Sequence, residues 1–409
     1  MEEKMQDNVF SGLTVLSLEQ ATVVPYLTYR LAQDGVRVIR LEHPVHCDPN
    51  RKIGEPFAEG EDRMCSYFFA VNCGKEAVTL NLKDPRAQEL LRRMIVELDV
   101  DIFATNQLPK NYGPLGIDYE TLSTVKPDLI WVGITGFGPD SNEAAYDPIL
   151  QARGGLMDLT GEKGQDPQVV GIPLPDMGTS EHAYGQIMKA LYRRALTGRG
   201  ARIDLAMIDS TVSWLTQPVT MATSFDRVMT RRGNTHEFFG PVSVFPSSDG
   251  YVYVALGNDV QWQRLVALPG FEGLVDPTYE TNAGRIADMA NLNVKLAACT
   301  AGFATAELLE TFRAATIPIA KVQGVAEVCE DPAVKPKLLK SVDPVTGFEV
   351  TLAPPPVRTE FLEASGGAMA FPPPRRAQHG CLWRRSWPEL RGADRPGCRR
   401  RYLGTLTGC

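Results

Sequence analysis

The first 135 residues of this 409-residue chain alternate short apolar segments with longer amphipathic segments. The apolar segments, at 13–18, 36–41, 77–82, 100–103 and 129–134, have the length and composition of β-strands. The amphipathic segments at 25–33 and 85–97 are typical of helices, and the second begins with proline. Strand and helix in repeated alternation predict an α/β fold, with a parallel sheet covered by helices.

Polar residues follow several of the predicted strands directly. They lie at 19–22, at 42–48, at Asn106 and at 135–138. Because ligands bind outside the carboxyl ends of parallel strands, we expect a functional site along this edge.

The pattern changes after about residue 225. Segments 241–245 and 251–256, with SSDG between them, predict an antiparallel hairpin, and helical patterns follow near 259–267, 283–298 and 306–314. We therefore divide the chain into a large domain (1–224), a smaller α+β domain (225–330) and a return to the large domain (331–371).

The remaining segment, 372–409, is an atypical tail. From Phe371 to Cys409 the chain has nine arginines, no lysine and only two acidic residues. Out-of-frame translation of a GC-rich gene gives this bias, so we hypothesise a frameshift near 372–375. The alternative is a genuine basic tail.

Composition excludes several classes of function. The formal net charge of −7 gives no reason to expect nucleic acid as a partner. No apolar run is long enough to span a membrane, and the acidic start MEEKMQDNVF does not resemble a signal peptide, so we expect a cytoplasmic protein. Eight scattered cysteines without a Cys-x-x-Cys pair predict neither a metal site nor a disulfide framework.

Asp176 is the strongest candidate for chemistry. Two prolines and Gly178 surround it, and a helix-like run follows. Backbone N–H groups at a helix start stabilise an anion, so we expect a carboxylate that stays ionised and could act as a nucleophile. The alternative reading is a plain helix cap, by Asp176 itself or by Thr179.

Basic residues near the predicted edge could hold a phosphate. Arg40, Arg51 and Lys75 could form a rim for a nucleotide, with Lys75 in the turn Asn72-Cys73-Gly74-Lys75. The same turn could equally face solvent. The glycine-rich run 133–138 lacks the Gly-x-Gly-x-x-Gly spacing, which excludes a dinucleotide fingerprint.

Five stretches, in order, together resemble the family III CoA-transferases, the group of formyl-CoA and carnitine CoA-transferases. The resemblance covers roughly residues 12–371. The stretches are GLTVLSLEQATVVPYLTYRLAQDGVRVIRLEHP, FAVNCGKEAVTLNLKDPRAQELL, PLGIDYETLSTVKPDLIWVGITGFG with the preceding Asn106 loop, PDMGTSEHAYGQIMKALYRRALTGRGARIDLAMIDS and IPIAKVQGVAEVCEDPAV.

The resemblance implies a Rossmann-like large domain built from both chain ends, a small domain, and two interlocked subunits. It implies that Asp176 attacks a donor thioester and passes through a mixed anhydride and an aspartyl-CoA thioester before a small carboxylic acid accepts CoA. Coenzyme A is then a substrate, and no cofactor or metal is needed. The implied CoA-binding residues are Val23, Arg40, Lys75 and Asn106, with Lys110 in place of a family arginine, and the implied substrate-binding residues are Gln20, Phe137 and Tyr146.

Alternatives remain open at this level. An α-methylacyl-CoA racemase shares the fold but pairs the aspartate with a histidine, where this chain has Tyr146. The chain could also be a partly structural subunit of a heteromer rather than a homodimer. A faint resemblance to succinyl-CoA-dependent transferases acting on benzylsuccinate or malate predicts a dicarboxylate acceptor, which calls for an arginine that the sequence does not identify.

Overall fold

The computed structural model describes residues 10–57, 64–344, 346–357 and 369–370, so the atypical tail at 372–409 lies outside the described residues. The chain forms two compact units. The first takes its residues from Met1–Leu156, Val170–Thr220 and Pro336–Cys409, and the second from Met157–Val169 and Met221–Lys335. The second unit thus includes 157–169, which the sequence analysis assigned to the large domain.

The first unit contains a six-stranded parallel sheet, which confirms the predicted α/β class. The strand order is 3-2-1-4-5-6, so the direction of winding reverses between the first and fourth strands. Ligands bind at such a reversal in open α/β sheets. The strands are β1 Thr14–Leu18, β2 Arg37–Glu42, β3 Lys75–Thr79, β4 Ile102–Thr105, β5 Ile130–Thr135 and β6 Ala201–Ala206.

Helices cover both faces of this sheet. Successive residues of β1 point to opposite faces, and Val15 and Leu16 accordingly belong to two different apolar clusters. Leu27 and Ala183 pack on the first face, and Leu91 packs on the second. The helices up to the end of this part of the chain are α1 Val23–Gln33, α2 Ser66–Phe69, α3 Pro85–Glu97, α4 Tyr112–Leu115, α5 Tyr119–Val125, α6 Asp147–Arg153, α7 Leu156–Leu159, α8 Leu174–Thr197, α9 Met207–Ser213 and α10 Thr216–Ser224.

The second unit is built on the hairpin that the sequence predicts. Strands β7 Val242–Ser247 and β8 Gly250–Ala255 pair antiparallel, and β9 Ile319–Lys321 adds to β8. The helix predicted over 283–298 is divided in two at Asp288, which ends one helix and precedes the next. The helices are α11 Asp259–Val266, α12 Asn282–Ala287, α13 Met289–Thr300, α14 Thr305–Ala314 and α15 Val325–Glu330.

The last described segment belongs to the first unit. Strands β10 Leu339–Val342 and β11 Glu349–Leu352 form an antiparallel pair. Leu339 and Leu352 pack with Phe68 and Cys73 in one apolar cluster. Beyond them, the carbonyl of Ala370 accepts the N–H of Gly74 at 2.7 Å, which ties this segment to the start of β3.

Among the described residues, no helix combines the length and the apolar character that crossing a bilayer requires.

Candidate active site

Asp176 lies in the first turn of α8, the longest helix among the described residues. The helix begins at Leu174, and the residue before it, Pro173, provides no side-chain cap. Thr179 turns its hydroxyl to the carbonyl of Pro175 at 2.6 Å. Neither Asp176 nor Thr179 therefore caps the helix, which corrects the alternative drawn from the sequence. Among the described residues, no donor bonds to the Asp176 carboxylate.

The backbone of Asp176 is held by a second acidic residue. Oδ2 of Asp147, the first residue of α6, accepts the N–H of Asp176 at 3.1 Å. Its other oxygen accepts Nε2 of Gln151 at 2.6 Å, and Oε1 of Gln151 accepts the N–H of Val170 at 2.8 Å. Asp147 and Gln151 are both buried. Helix α6 thereby fixes the segment that leads into α8.

Asp147 and Asp176, which we call the acid pair, both have raised pKa values. Burial, and secondarily the charge of Asp147, raise the pKa of Asp176 to about 7. Burial also raises the pKa of Asp147, although Gln151 and the Asp176 N–H oppose that rise. This raised pKa differs from the expectation of a carboxylate that simply stays ionised, because burial disfavours the charged form. Near neutral pH, the carboxyl group of Asp176 is then partly protonated.

The loop after β1 meets the loop after β4 at the reversal of the sheet. Asn106 accepts the N–H of Gln20 at 3.2 Å and donates its amide to the carbonyl of Gln20 at 2.8 Å. These two bonds fix the backbone between β1 and α1 and leave the Gln20 side chain exposed. The sequence-predicted residues Gln20 and Asn106 are thus neighbours.

This loop is connected to the turn that carries Asp176. The carbonyl of Val23, the first residue of α1, accepts the hydroxyl of Ser180 at 2.6 Å. The same hydroxyl lies 2.8 Å from the carbonyl oxygen of Asp176. The structure therefore places Val23 beside the first turns of α8, and Gln20 and Asn106 in the adjoining loops at the edge predicted for a ligand.

Arg40 and Lys75 lie in a buried ion cluster, not on a basic rim. Lys75 is 3% exposed, and its Nζ donates to Glu19 at 2.8 Å, to the carbonyl of Pro25 at 2.8 Å and to Asn72 at 3.0 Å. Its turn therefore neither faces solvent nor presents its amino group for a phosphate. The ion cluster comprises Glu19, Glu42, Asp48, Arg40, Arg51 and Lys75.

The charges of the ion cluster are matched, three acidic against three basic. Arg40 pairs with Asp48 at 2.8 Å and with Glu42 at 3.3 Å. Burial alone would raise the pKa of Glu19, yet Lys75 and Arg40 hold it below its ordinary value. Burial lowers the pKa of Lys75 to about 8 against the attraction of Glu19. Direct binding of CoA by Arg40 and Lys75 stays a prediction.

Three further predicted residues lie in loops and turns outside the ion cluster. Phe137, which follows β5, is half-buried beneath the guanidinium of Arg153. Tyr146 directly precedes Asp147 and is 75% exposed. Lys110 is exposed in the turn Pro109–Asn111, and its backbone N–H donates to Asn142 at 2.8 Å. Their predicted contacts with substrate or CoA stay predictions.

Sequence reasoning missed the partners of Asp176. The i,i+4 spacing of Asp147 and Gln151 is a usable signal for a pair on one helix face. Nothing local connects either residue to α8. Across the described ranges, no group of three or more His, Cys, Asp or Glu side chains is arranged to hold a metal ion.

Comparisons with known proteins agree on one family. The model of CoA-transferase family III matches residues 10–379. The chain is similar to succinyl-CoA:glutarate CoA-transferase of Mus musculus, with 31% identity over 90% of this chain and 84% of that protein. It is similar to acetyl-CoA:oxalate CoA-transferase of Acetobacter aceti, with 33% identity over 81% and 86%. A CAIB/BAIF family protein from Brucella suis has a similar crystal structure, with a TM-score of 0.77, 31% identity and coverage of 89% and 94%.

Proposed function

The chain belongs to CoA-transferase family III, and from that premise we propose that it moves CoA from an acyl-CoA donor to a dicarboxylic acid, with Asp176 as nucleophile. The observation that carries the proposal is the state of Asp176. Asp176 is half-buried at the start of α8, burial and the charge of Asp147 raise its pKa, and no cation among the described residues pairs with it. An anion kept from water and counter-ions is suited to attack a thioester carbonyl.

The proposed reaction needs only the substrates and Asp176. A carboxylate oxygen of Asp176 attacks the thioester carbonyl carbon, the C–S bond breaks, and CoA leaves as a thiolate with a mixed anhydride left on the enzyme. The thiolate attacks the Asp176 carbonyl of the anhydride, which releases the donor acid and gives an aspartyl-CoA thioester. The acceptor carboxylate then attacks the aspartyl-CoA thioester, which releases the CoA thiolate and forms a second anhydride. The thiolate attacks the acceptor carbonyl of this anhydride, which gives the product acyl-CoA and frees the Asp176 carboxylate. No net proton is transferred, so the ionised form of Asp176 starts the cycle.

The surrounding residues support this reaction by position. The Gln20 side chain is free to bind the reacting carbonyl, because Asn106 bonds only the backbone of Gln20. Lys110, exposed near the carboxyl end of β4, is available to a CoA phosphate. Glu19, which follows β1, is held by Lys75 and Arg40 of the ion cluster, and direct contact of these two cations with CoA stays a prediction. A dimeric or heteromeric assembly stays a prediction.

The choice of substrates follows the relatives. Succinyl-CoA:glutarate and acetyl-CoA:oxalate CoA-transferases act on the acids in their names, all small carboxylic acids. We therefore propose succinyl-CoA or acetyl-CoA as donor and a short dicarboxylic acid as acceptor. Benzylsuccinate and malate, suggested by the sequence, belong to the same chemical class.

A matrix of donors and acceptors tests the function. The purified protein is incubated with succinyl-CoA or acetyl-CoA and with glutarate, oxalate, malate, benzylsuccinate or butyrate, and the acyl-CoA products are separated by chromatography. The proposal expects a new acyl-CoA with at least one dicarboxylic acid and none without an acceptor. Release of free CoA alone in every mixture would mean hydrolysis and would overturn it.

A further inference from the structure

Arg153 stands at the end of α6 opposite to Asp147. Its guanidinium lies over the ring of Phe137, with 4.2 Å between the guanidinium carbon and the ring centroid. Its Nη1 pairs with both oxygens of Glu143, at 3.0 and 3.1 Å. The side chain is 56% exposed. Two contacts thus fix an arginine head that still faces solvent.

One edge of this guanidinium is left without a partner. Nη1 makes the bonds to Glu143, while Nε and Nη2 bond to no residue that the structure describes. The Nε–Nη2 edge is the fork that accepts a carboxylate through two parallel hydrogen bonds. Because the stacking and the ion pair already order the side chain, little rotamer freedom remains to be lost when an anion binds. The arrangement is that of a preformed carboxylate receptor.

Arg153 also lies, with Phe137, near the carboxyl edge of the parallel sheet, where we place the proposed chemistry. Phe137 follows β5 at the carboxyl edge of the sheet, where the Gln20 loop also lies. Helix α6 spans seven residues, so about 9 Å of helix axis separates Asp147, which binds the Asp176 backbone, from Arg153. A short dicarboxylic acid and an arginine side chain together bridge such a distance.

We propose that Arg153 binds the distal carboxylate of a dicarboxylic acid while the other carboxylate reacts at Asp176. This inference rests on the proposed function and assigns the arginine that a dicarboxylate acceptor requires. Phe137 then serves as the platform that orients Arg153, and Glu143 holds the guanidinium from its other side. A structural role alone explains little, because exposed ion pairs contribute only about 0–1 kcal/mol to folding.

The KM for glutarate of Arg153 variants that differ in charge and shape tests whether Arg153 binds the distal carboxylate. Arg153→Gln removes the charge, Arg153→Lys keeps the charge but loses the fork, and Arg93→Gln is the control. Arg93 is a partly exposed arginine, 36% accessible, that is paired with Glu97 on α3. We expect Arg153→Gln to raise the KM for glutarate about 10- to 100-fold, as for loss of a charge-assisted hydrogen bond. Arg153→Lys gives a smaller rise, and Arg93→Gln gives none.

The same assays separate the ways in which the assignment could fail. Melting temperatures of the variants establish that they are folded, and the inhibition constant of free CoA reports on phosphate binding. An unchanged glutarate KM in folded Arg153→Gln overturns the inference, and so does an equal weakening of CoA, which would place Arg153 on a phosphate. If the unmodified enzyme transfers CoA to no acceptor, the proposed function itself fails. If it transfers CoA and only the Arg153 prediction fails, the function stands.

Discussion

Two groups of acidic residues in the first unit differ in whether a cation is paired with them, and Asp176 is half-buried while the others are buried. In the ion cluster, Glu19 meets Lys75 at 2.8 Å, and Asp48 meets Arg40 at 2.8 Å. In the acid pair, Asp147 accepts the backbone N–H of Asp176, and the pKa of Asp176 rises to about 7. Matched buried charges are typical of structure, whereas a perturbed, unmatched acid beside a ligand edge is typical of catalysis. We therefore propose a structural role for the ion cluster and a catalytic role for Asp176.

The largest effect is expected at Asp176. Asp176→Asn removes the nucleophile but keeps the side-chain volume, and it leaves the bond to Asp147 intact because that bond uses the backbone N–H. We expect kcat to fall at least about 10⁴-fold, as for other catalytic nucleophiles, while the protein stays folded. The measurement is the rate of product acyl-CoA formation. Asp166→Asn, which alters an exposed aspartate, is the control and should keep full activity.

The second largest effect is expected in the ion cluster, and on stability. Lys75→Met leaves the buried carboxylate of Glu19 without the cation nearest to it. We expect the free energy of unfolding to fall by about 3–5 kcal/mol, as measured by urea denaturation. Arg93→Gln should change it by less than about 1 kcal/mol. If Lys75→Met keeps the free energy of unfolding of the unmodified protein but loses affinity for CoA, Lys75 contacts the ligand as the sequence suggested. The ion cluster would then not be purely structural.

The pH dependence of stability should have opposite signs in the two groups, because the pKa of Glu19 in the ion cluster is lowered and that of Asp176 is raised. The folded-state pKa of Asp176 lies above its ordinary value of 3.8, so between about pH 4 and 7 the folded protein holds more protons than the unfolded chain. The contribution of Asp176 to stability therefore falls as pH rises. Asp176→Asn should gain about 4 kcal/mol over the unmodified protein at pH 8 and less than about 1 kcal/mol at pH 4. A gain independent of pH would show that ionisation of Asp176 does not lower the free energy of unfolding.

The smallest effect is expected at Asp147. Asp147→Asn removes the negative charge that helps to raise the pKa of Asp176 and keeps an oxygen for the Asp176 N–H. We expect the rising limb of the kcat/KM profile, which reports ionisation of Asp176, to move to lower pH. Rates across pH 5–9 provide the check. A limb that does not move would mean that Asp147 only positions the backbone.

The sheet could be predicted from sequence because each strand carries its own signal. Apolar runs such as 36–41 and 129–134 are buried wherever they lie in a parallel sheet. The break between α12 and α13 was missed because the apolar pattern continues through Asp288. Asp176 could be chosen as a candidate nucleophile because the motif around it is continuous in the chain.

The surroundings of Asp176 could not be predicted, because they depend on packing between distant segments. Asp147 is 29 residues away from Asp176 in the chain, and only the contact of α6 with α8 brings them together. Arg40 and Lys75 looked like a basic rim because sequence does not show which carboxylates fold back on them. Glu19 and Glu42 both lie at strand ends, as ligand-binding residues do.

Chemical trapping of the enzyme-bound intermediate tests the central claim, that Asp176 is the nucleophile. The protein is incubated with succinyl-CoA without acceptor and quenched with hydroxylamine, which converts an aspartyl thioester or anhydride into a hydroxamate. Peptide mass spectrometry then locates the modified residue. We predict the hydroxamate at Asp176, formed only with donor present and absent from Asp176→Asn. A hydroxamate at Asp147 or elsewhere, or full transfer activity without any modification of Asp176, would contradict the account.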